Sequence, residues 1–258
     1  MYKHCKVETD GRVQTVTIQR PEVMNALDPE TNFELAEVFD RFDADPDLWV
    51  AILTGSGDKA FCAGLDIKSQ TPGASLSEDP DSGFGGLTAR FQSSKPIIAA
   101  INGGAVGGGF EIALACDLIV AADHANFALP EAHIGLAPMA GGMHRLTRQI
   151  GLKQAMGMLL TGRRMSAQEA LNQGLVNEVV PAGELMECAN RWAKNILKCA
   201  PLSTRAIKQC VLEGMRHGSL ENAMGAHYSA LDDMLRSNDL AEGMRAFIEK
   251  RRPNWKGQ

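Results

Sequence analysis

The segment that most limits the fold runs from residue 97 to residue 115. Five apolar residues, Ile97 to Ile101, lead into Asn102-Gly-Gly-Ala-Val-Gly-Gly-Gly-Phe-Glu111, and the apolar stretch Ile112 to Ala115 follows. A short apolar run bounded by turn residues reads as a buried strand, and the apolar segment beyond the glycines reads as a helix. Glycine-rich strand-to-helix junctions leave backbone N–H groups and the positive helix end facing a concave site. The glycines lack the i, i+2, i+5 spacing of a dinucleotide fingerprint, and no Gly-Lys-Ser/Thr phosphate loop is present. Two readings stay open: a plain junction, or an oxyanion site whose backbone donors stabilise charge developing on a carbonyl oxygen.

The rest of the chain fits an α/β body. Val13–Ile18, Trp49–Thr54 and Leu118–Ala121 read as further strands, and Asp28-Pro29-Glu30 reads as a helix start with proline at the first helical position. From about Gly141 the strand signal fades. Ser166-Ala-Gln-Glu169 is a capping box, and helical patterning recurs over Leu185–Leu197, Leu202–Met215, Leu220–Leu235 and Leu240–Ile248. Strands alternating with helices and then a helical tail predict α/β with a C-terminal α appendage. Between Ser69 and Gly86 a stretch dense in Ser, Gly, Pro and Asp reads as a loop, either a flap near a ligand or an inert insertion.

Composition removes several function classes. With 258 residues, 45% of them hydrophobic, the chain can bury a full core without disulfide or metal staples. A formal net charge of −5 argues against nucleic-acid binding. The six cysteines form no CxxC pair and no zinc-type spacing with histidine, so no metal site is expected, and free thiols suit a reducing compartment. The polar start has no secretory signal and no stretch is long enough to span a membrane, which together predict a cytoplasmic protein.

Two more clusters bear on chemistry. Ala60-Phe-Cys-Ala-Gly64-Leu65-Asp66-Ile-Lys68 places a glycine turn directly after a strand, and taken alone it reads as an ordinary turn. In Ala128-Leu-Pro130-Glu131-Ala-His133, Glu131 follows a proline, and Glu111 opens the helix after the glycine run. Each carboxylate alone reads as a cap or a solvent-facing group. Both stand in apolar sequence, where carboxyl pKa values rise toward those useful for proton transfer. His133 alone reads as a hydrogen-bonding group and is set aside as a base.

Taken together, these clusters resemble the enoyl-CoA hydratase/isomerase (crotonase) family. The likeness starts at Arg20-Pro21…Asn25-Ala26-Leu27 and passes through Phe61–Lys68, Lys95–Glu111, Pro130–Gly142 and Thr161-Gly-Arg-Arg-Met165. It ends at Phe247-Ile-Glu-Lys250-Arg251. The resemblance implies a crotonase (ClpP-like) spiral of ββα units over residues 1–195, carrying the acyl-CoA site, and a helical region over 196–258 that packs a homotrimer or a hexamer of two trimers. It implies that the backbone N–H groups of Leu65 and Gly108 hold a thioester carbonyl. Glu111 and Glu131 would then share a water and act as the catalytic pair. It further implies that Ala63, Asp66, Ile67 and Lys68 line the CoA path, with Phe247 and Lys250 at its adenine and phosphate end. No cofactor is implied, because coenzyme A is part of the substrate.

The expected reaction is reversible addition of water across the 2,3 double bond of a 2-enoyl-CoA. Phe84–Arg90 and Phe127–Glu131 resemble the carnitinyl-CoA dehydratase branch of the family. Glu22 stands where relatives often have lysine, which weakens any phosphate contact there. An isomerase is the rival within the family, though isomerases typically lack the first glutamate. A non-catalytic acyl-CoA or RNA-binding protein is the rival outside it, and RNA binding would need a basic face with stacking aromatics.

Overall fold

The computed structural model describes residues 2–69 and 79–258. The chain opens with strands β1 (Cys5–Asp10) and β2 (Val13–Ile18), then helix α1 (Pro29–Ala44) and strands β3 (Val50–Gly55) and β4 (Ala60–Cys62). Next come β5 (Ile97–Ile101), β6 (Gly104–Val106), α2 (Gly108–Ala115), β7 (Leu118–Ala122) and β8 (Asn126–Ala128). The second half contains α3 (Gly142–Gln149), α4 (Leu152–Thr161), β9 (Met165–Ser166), α5 (Ala167–Asn172), β10 (Glu178–Val180) and α6 (Leu185–Leu197). Helices α7 (Pro201–Gly214), α8 (Leu220–Gly225), α9 (Ser229–Leu235) and α10 (Asn238–Ile248) close it.

Two sheets organise these strands. One has the order β1-β2-β3-β5-β7-β10 and the other β4-β6-β8-β9. Each successive strand pair, β3/β4, β5/β6 and β7/β8, gives one strand to each sheet. The chain therefore coils, as the expected ββα spiral requires. Every residue of β3 and β5 is buried, as in parallel strands covered on both faces, and the hydroxyl of Thr54 is satisfied by donating to Ala100 O at 2.8 Å. Helix α6 covers this sheet across β3, β5 and β7.

Local signals in the sequence act as expected at two helix starts. Asp28 Oδ1 accepts from Thr31 N–H at 2.8 Å with Pro29 at the first helical position. Ser166 and Glu169 form the reciprocal capping box. Three expectations need correction. Strands do continue past Gly141, as β9 and β10; with two and three residues they are too short to show a period of two. The expected helix over Leu220–Leu235 is two helices, broken between Gly225 and Ser229, where the Tyr228 hydroxyl donates back to Ala223 O at 2.6 Å. Of the expected loop after Ser69, residues 70–78 lie outside the described residues, whereas Phe84–Gly86 is a buried 3-10 turn packed between α1 and α2.

The C-terminal helices join the body through Lys208, whose ammonium donates to Lys95 O and pairs with Asp117, both at 2.8 Å. The tail returns to them. Asp239, 2% exposed, accepts the N–H groups of Lys256 and Gly257 at 2.8 Å each. No helix among the described residues is long and apolar enough to cross a membrane.

Candidate active site

The Arg20–Leu27 stretch is a bracket for the turn after β4. Arg20 is buried and pairs with Asp28 at 3.0 Å and Asp66 at 3.1 Å. Asn25 donates to Ala60 O at 2.7 Å. Leu27 N–H donates to Gly64 O at 2.8 Å, and Asp66 N–H donates to Leu27 O at 2.9 Å, a parallel bridge between Leu27 and Leu65. In such a bridge the bonded groups flank the bridged residue, so the N–H of Leu65 points away from Leu27.

Gly64 makes the approach that brings this turn to α2. Its φ is +85°, and a Cβ there would stand 2.8 Å from the nitrogen of Gly108. Gly108 is the first residue of α2, so its N–H has no intrahelical acceptor. Neither Leu65 N–H nor Gly108 N–H donates to any group among the described residues. Two free amides from adjoining segments, one at a positive helix end, form a ready anion site.

Both sequence-identified carboxylates gather beside these amides. Glu111, in the first turn of α2, is 4% exposed, and its Oε1 accepts from Gly142 N–H at 2.7 Å. Burial pushes its carboxyl up to about 7; the neighbouring Glu131 adds to the rise, and the Gly142 N–H and the charge of Arg145 oppose it. Glu131 opens the 3-10 turn that follows β8. A Cβ on Gly107 would stand 3.1 Å from its Oε1, which places the carboxylate against the residue preceding α2. Its Oε2 is buried without a hydrogen-bond partner among the described residues, and burial raises its pKa. A buried polar atom left unpaired costs stability and calls for an explanation, and a water or substrate atom would supply one.

The other sequence-predicted residues divide. Ile67 and Lys68 are exposed and Ala63 is half-buried on the same turn. Asp66 lies on this turn with its carboxylate paired to Arg20, and its carbonyl accepts from Ser69 N–H and Oγ. It holds the turn together from inside. Phe247, 86% exposed, and Lys250, at φ +54°, lie at the end of α10, and no hydrogen bond or ion pair among the described residues ties them to this turn. His133 bonds to Thr161 O at 2.8 Å. Sequence reasoning did not assign roles to Gly142, which orients Glu111, or to Phe84, whose ring packs against Gly108. The Gly141-Gly142 pair opening a helix after Pro138 was the available signal for the first. No metal-holding group of three or more His, Cys, Asp or Glu occurs among the described residues.

The sequence matches the family described as enoyl-CoA hydratase/isomerase over residues 8–258. The carnitinyl-CoA dehydratase of Proteus mirabilis (strain HI4320) is 45% identical over 267 residues, covering 100% of both chains. That of Salmonella arizonae is 44% identical over 273 residues with the same coverage. Among solved structures, an enoyl-CoA hydratase from Mycobacterium tuberculosis H37Rv superposes with a TM-score of 0.92 at 38% identity, covering 99% of each chain. One from Bacillus anthracis does so at 0.92 and 35%, covering 99% of this chain and 100% of the other.

Proposed function

Because the chain belongs to the enoyl-CoA hydratase/isomerase family, with its crotonase fold and hydratase or dehydratase relatives, we propose that it reversibly hydrates a 2-enoyl-CoA thioester to the 3-hydroxyacyl-CoA. The observation that carries this reading is the convergence of buried Glu111 and half-buried Glu131, both of raised pKa, on a helix end with two free amides. The Leu65 and Gly108 N–H groups bind the thioester oxygen and stabilise its enolate, and one such donor typically contributes about 10²–10³ in rate. Water held between Glu111 and Glu131 attacks C3 and gives its proton to one carboxylate. The other carboxyl delivers a proton to C2. One water is consumed and the pair keeps its single proton; dehydration runs the same steps in reverse. A pair whose carboxyls are both raised by burial can carry one shared proton near neutral pH, as this chemistry needs.

The relatives at 44–45% identity favour carnitinyl-CoA as the substrate, run in the dehydration direction. A single-carboxylate isomerase leaves Glu111 and its Gly142 donor without a role. For assembly we propose a homotrimer or a hexamer of two trimers. Support comes from exposed apolar side chains along the C-terminal helices, among them Ile207, Met215, Leu220, Met224 and Met244, which a monomer would leave in water. The exposed Phe247 and Lys250 are proposed to meet the adenine and phosphate end of CoA, with Ala63, Asp66, Ile67 and Lys68 along its path. Turnover of crotonobetainyl-CoA, crotonyl-CoA and longer 2-enoyl-CoAs tests the reading. Hydration of at least one supports it, the preferred acyl group names the substrate, and no turnover of any would overturn it.

A further inference from the structure

Arg145 lies on α3, one turn after Gly142. Its Nη2 donates to Thr88 O at 2.8 Å, and its Nη1 donates to Ala140 O at 3.4 Å. The guanidinium stands 5.7 Å from the Phe91 ring centre, and Arg216 stands at the same distance from that ring. A Cβ on Gly141 would collide with Nη1, so the guanidinium rests directly on the turn that presents Gly142 N–H to Glu111.

The two carbonyls Arg145 holds belong to the two segments that flank the site. Thr88 ends the stretch whose Phe84 ring lies against Gly108. Ala140 belongs to the turn that orients Glu111. Arg90 fixes the first stretch to α1, donating to Gly86 O at 2.7 Å and Ala36 O at 3.1 Å and pairing with Asp40 and Asp43. Arg145 is therefore the side chain that bonds to both the Phe84–Thr88 stretch and the Ala140–Gly142 turn.

Its charge is also unspent. Arg145 forms no ion pair with a carboxylate among the described residues, although it is half-buried and its pKa is lowered by that burial. Glu131 and Arg145 are the charged groups acting on Glu111. The Cys62 thiol below α2 and the Cys116 thiol facing Arg145 are both pushed up to about 12 by burial, and so stay neutral.

We propose that Arg145 is a positioning residue for the two-carboxylate reaction, clamping the Phe84–Thr88 cover to the Ala140–Gly142 turn so that the Phe84 ring stays on Gly108 and the Gly142 N–H stays on Glu111. The inference rests on the hydratase reading above. A misplacement of about 1 Å can cost about 10²-fold in rate. Arg145→Met in the full chain should lower kcat by between about 10- and 10²-fold with KM for the acyl-CoA little changed. Loss of the positive charge should also move the limb of the pH profile that belongs to Glu111 to higher pH, whichever limb that is. Arg145→Lys should keep the limb near its parental position but recover kcat only in part, because an ammonium lacks the planar fork that spans two carbonyls. A purely structural residue would lower the melting temperature and leave the pH profile in place. Arg145→Met with parental kcat and pH profile overturns the proposal. Should that variant not fold, Arg145→Lys with parental kcat overturns it. A parent protein inactive on every enoyl-CoA would remove the hydratase reading and this role together, whereas an active parent matched by its Arg145 variants removes this role alone.

Discussion

The backbone N–H of Gly142 donates to Oε1 of Glu111 across 31 residues of sequence, at 2.7 Å, in a part of the protein closed to solvent. The bond fixes one carboxylate oxygen and leaves the other free to face a water. A Cβ on Gly142 would stand 2.9 Å from Glu111 Oε1 and 3.0 Å from Pro138 Cβ. Gly142→Ala must therefore displace the carboxylate or the turn. We expect kcat to fall by about 10²-fold while the far-ultraviolet circular dichroism spectrum stays parental. Steady-state kinetics on the preferred enoyl-CoA checks this.

The raised pKa of Glu111 also predicts a stability change. Its carboxyl stands at about 7 in the folded chain, against 4.5 as its ordinary value. Between those values the folded state binds more protons than the unfolded state, so this group's contribution falls as pH rises from about 4.5 to about 7. Glu111→Gln keeps an acceptor for Gly142 and removes the titration. The variant should match the parent near pH 4 and exceed it at pH 8, by up to about 3 kcal/mol. Denaturant unfolding at the two pH values measures the difference, and a variant less stable at pH 8 contradicts the assignment.

Arg20 supports the site without touching it. It neutralises Asp28 and Asp66 at 3.0 and 3.1 Å in a buried setting. Arg20→Met leaves both carboxylates without their cation, and breaking a buried pair from one side costs about 3–5 kcal/mol. The denaturation midpoint should fall accordingly, and Asp66→Asn should be milder because Asp28 keeps the guanidinium.

The body of the fold was legible where the physics is local. Strands β3, β5 and β7 are largely apolar runs, β2 is rich in Val, Ile and Thr, and Asp28 and Ser166 are caps that accept from N–H groups three residues on. The two glutamates were legible because a glycine run and a proline mark their turns. The missed features depend on distant partners. The ion pair that turns Asp66 inward spans 46 residues, and the bond from Arg145 to Thr88 spans 57. No periodicity announces either of them. The break between α8 and α9 was hidden because apolar residues continue at helical spacing on both sides of it.

The proposed CoA contact at the end of α10 has a separate test. Lys250 is exposed, and its substitution should leave the carboxylate pair untouched. Lys250→Ala should raise KM for CoA thioesters with kcat nearly unchanged, the pattern of an interaction lost equally from the ground and transition states. An unmoved KM removes Lys250 from the site.

The central claim is that Glu111 and Glu131 work as one unit around a single water, and the most direct measurement is kcat for hydration in Glu111→Gln, Glu131→Gln and the double variant. General acid–base groups contribute about 10²–10⁴ each, so each single variant should lose at least about 10². Since both serve the same water, the double variant should be far less than multiplicatively worse. Acyl-CoA binding should survive in all three, because the Leu65 and Gly108 donors are backbone groups. Near-parental hydration by Glu111→Gln would contradict the account and point to chemistry carried by Glu131 alone.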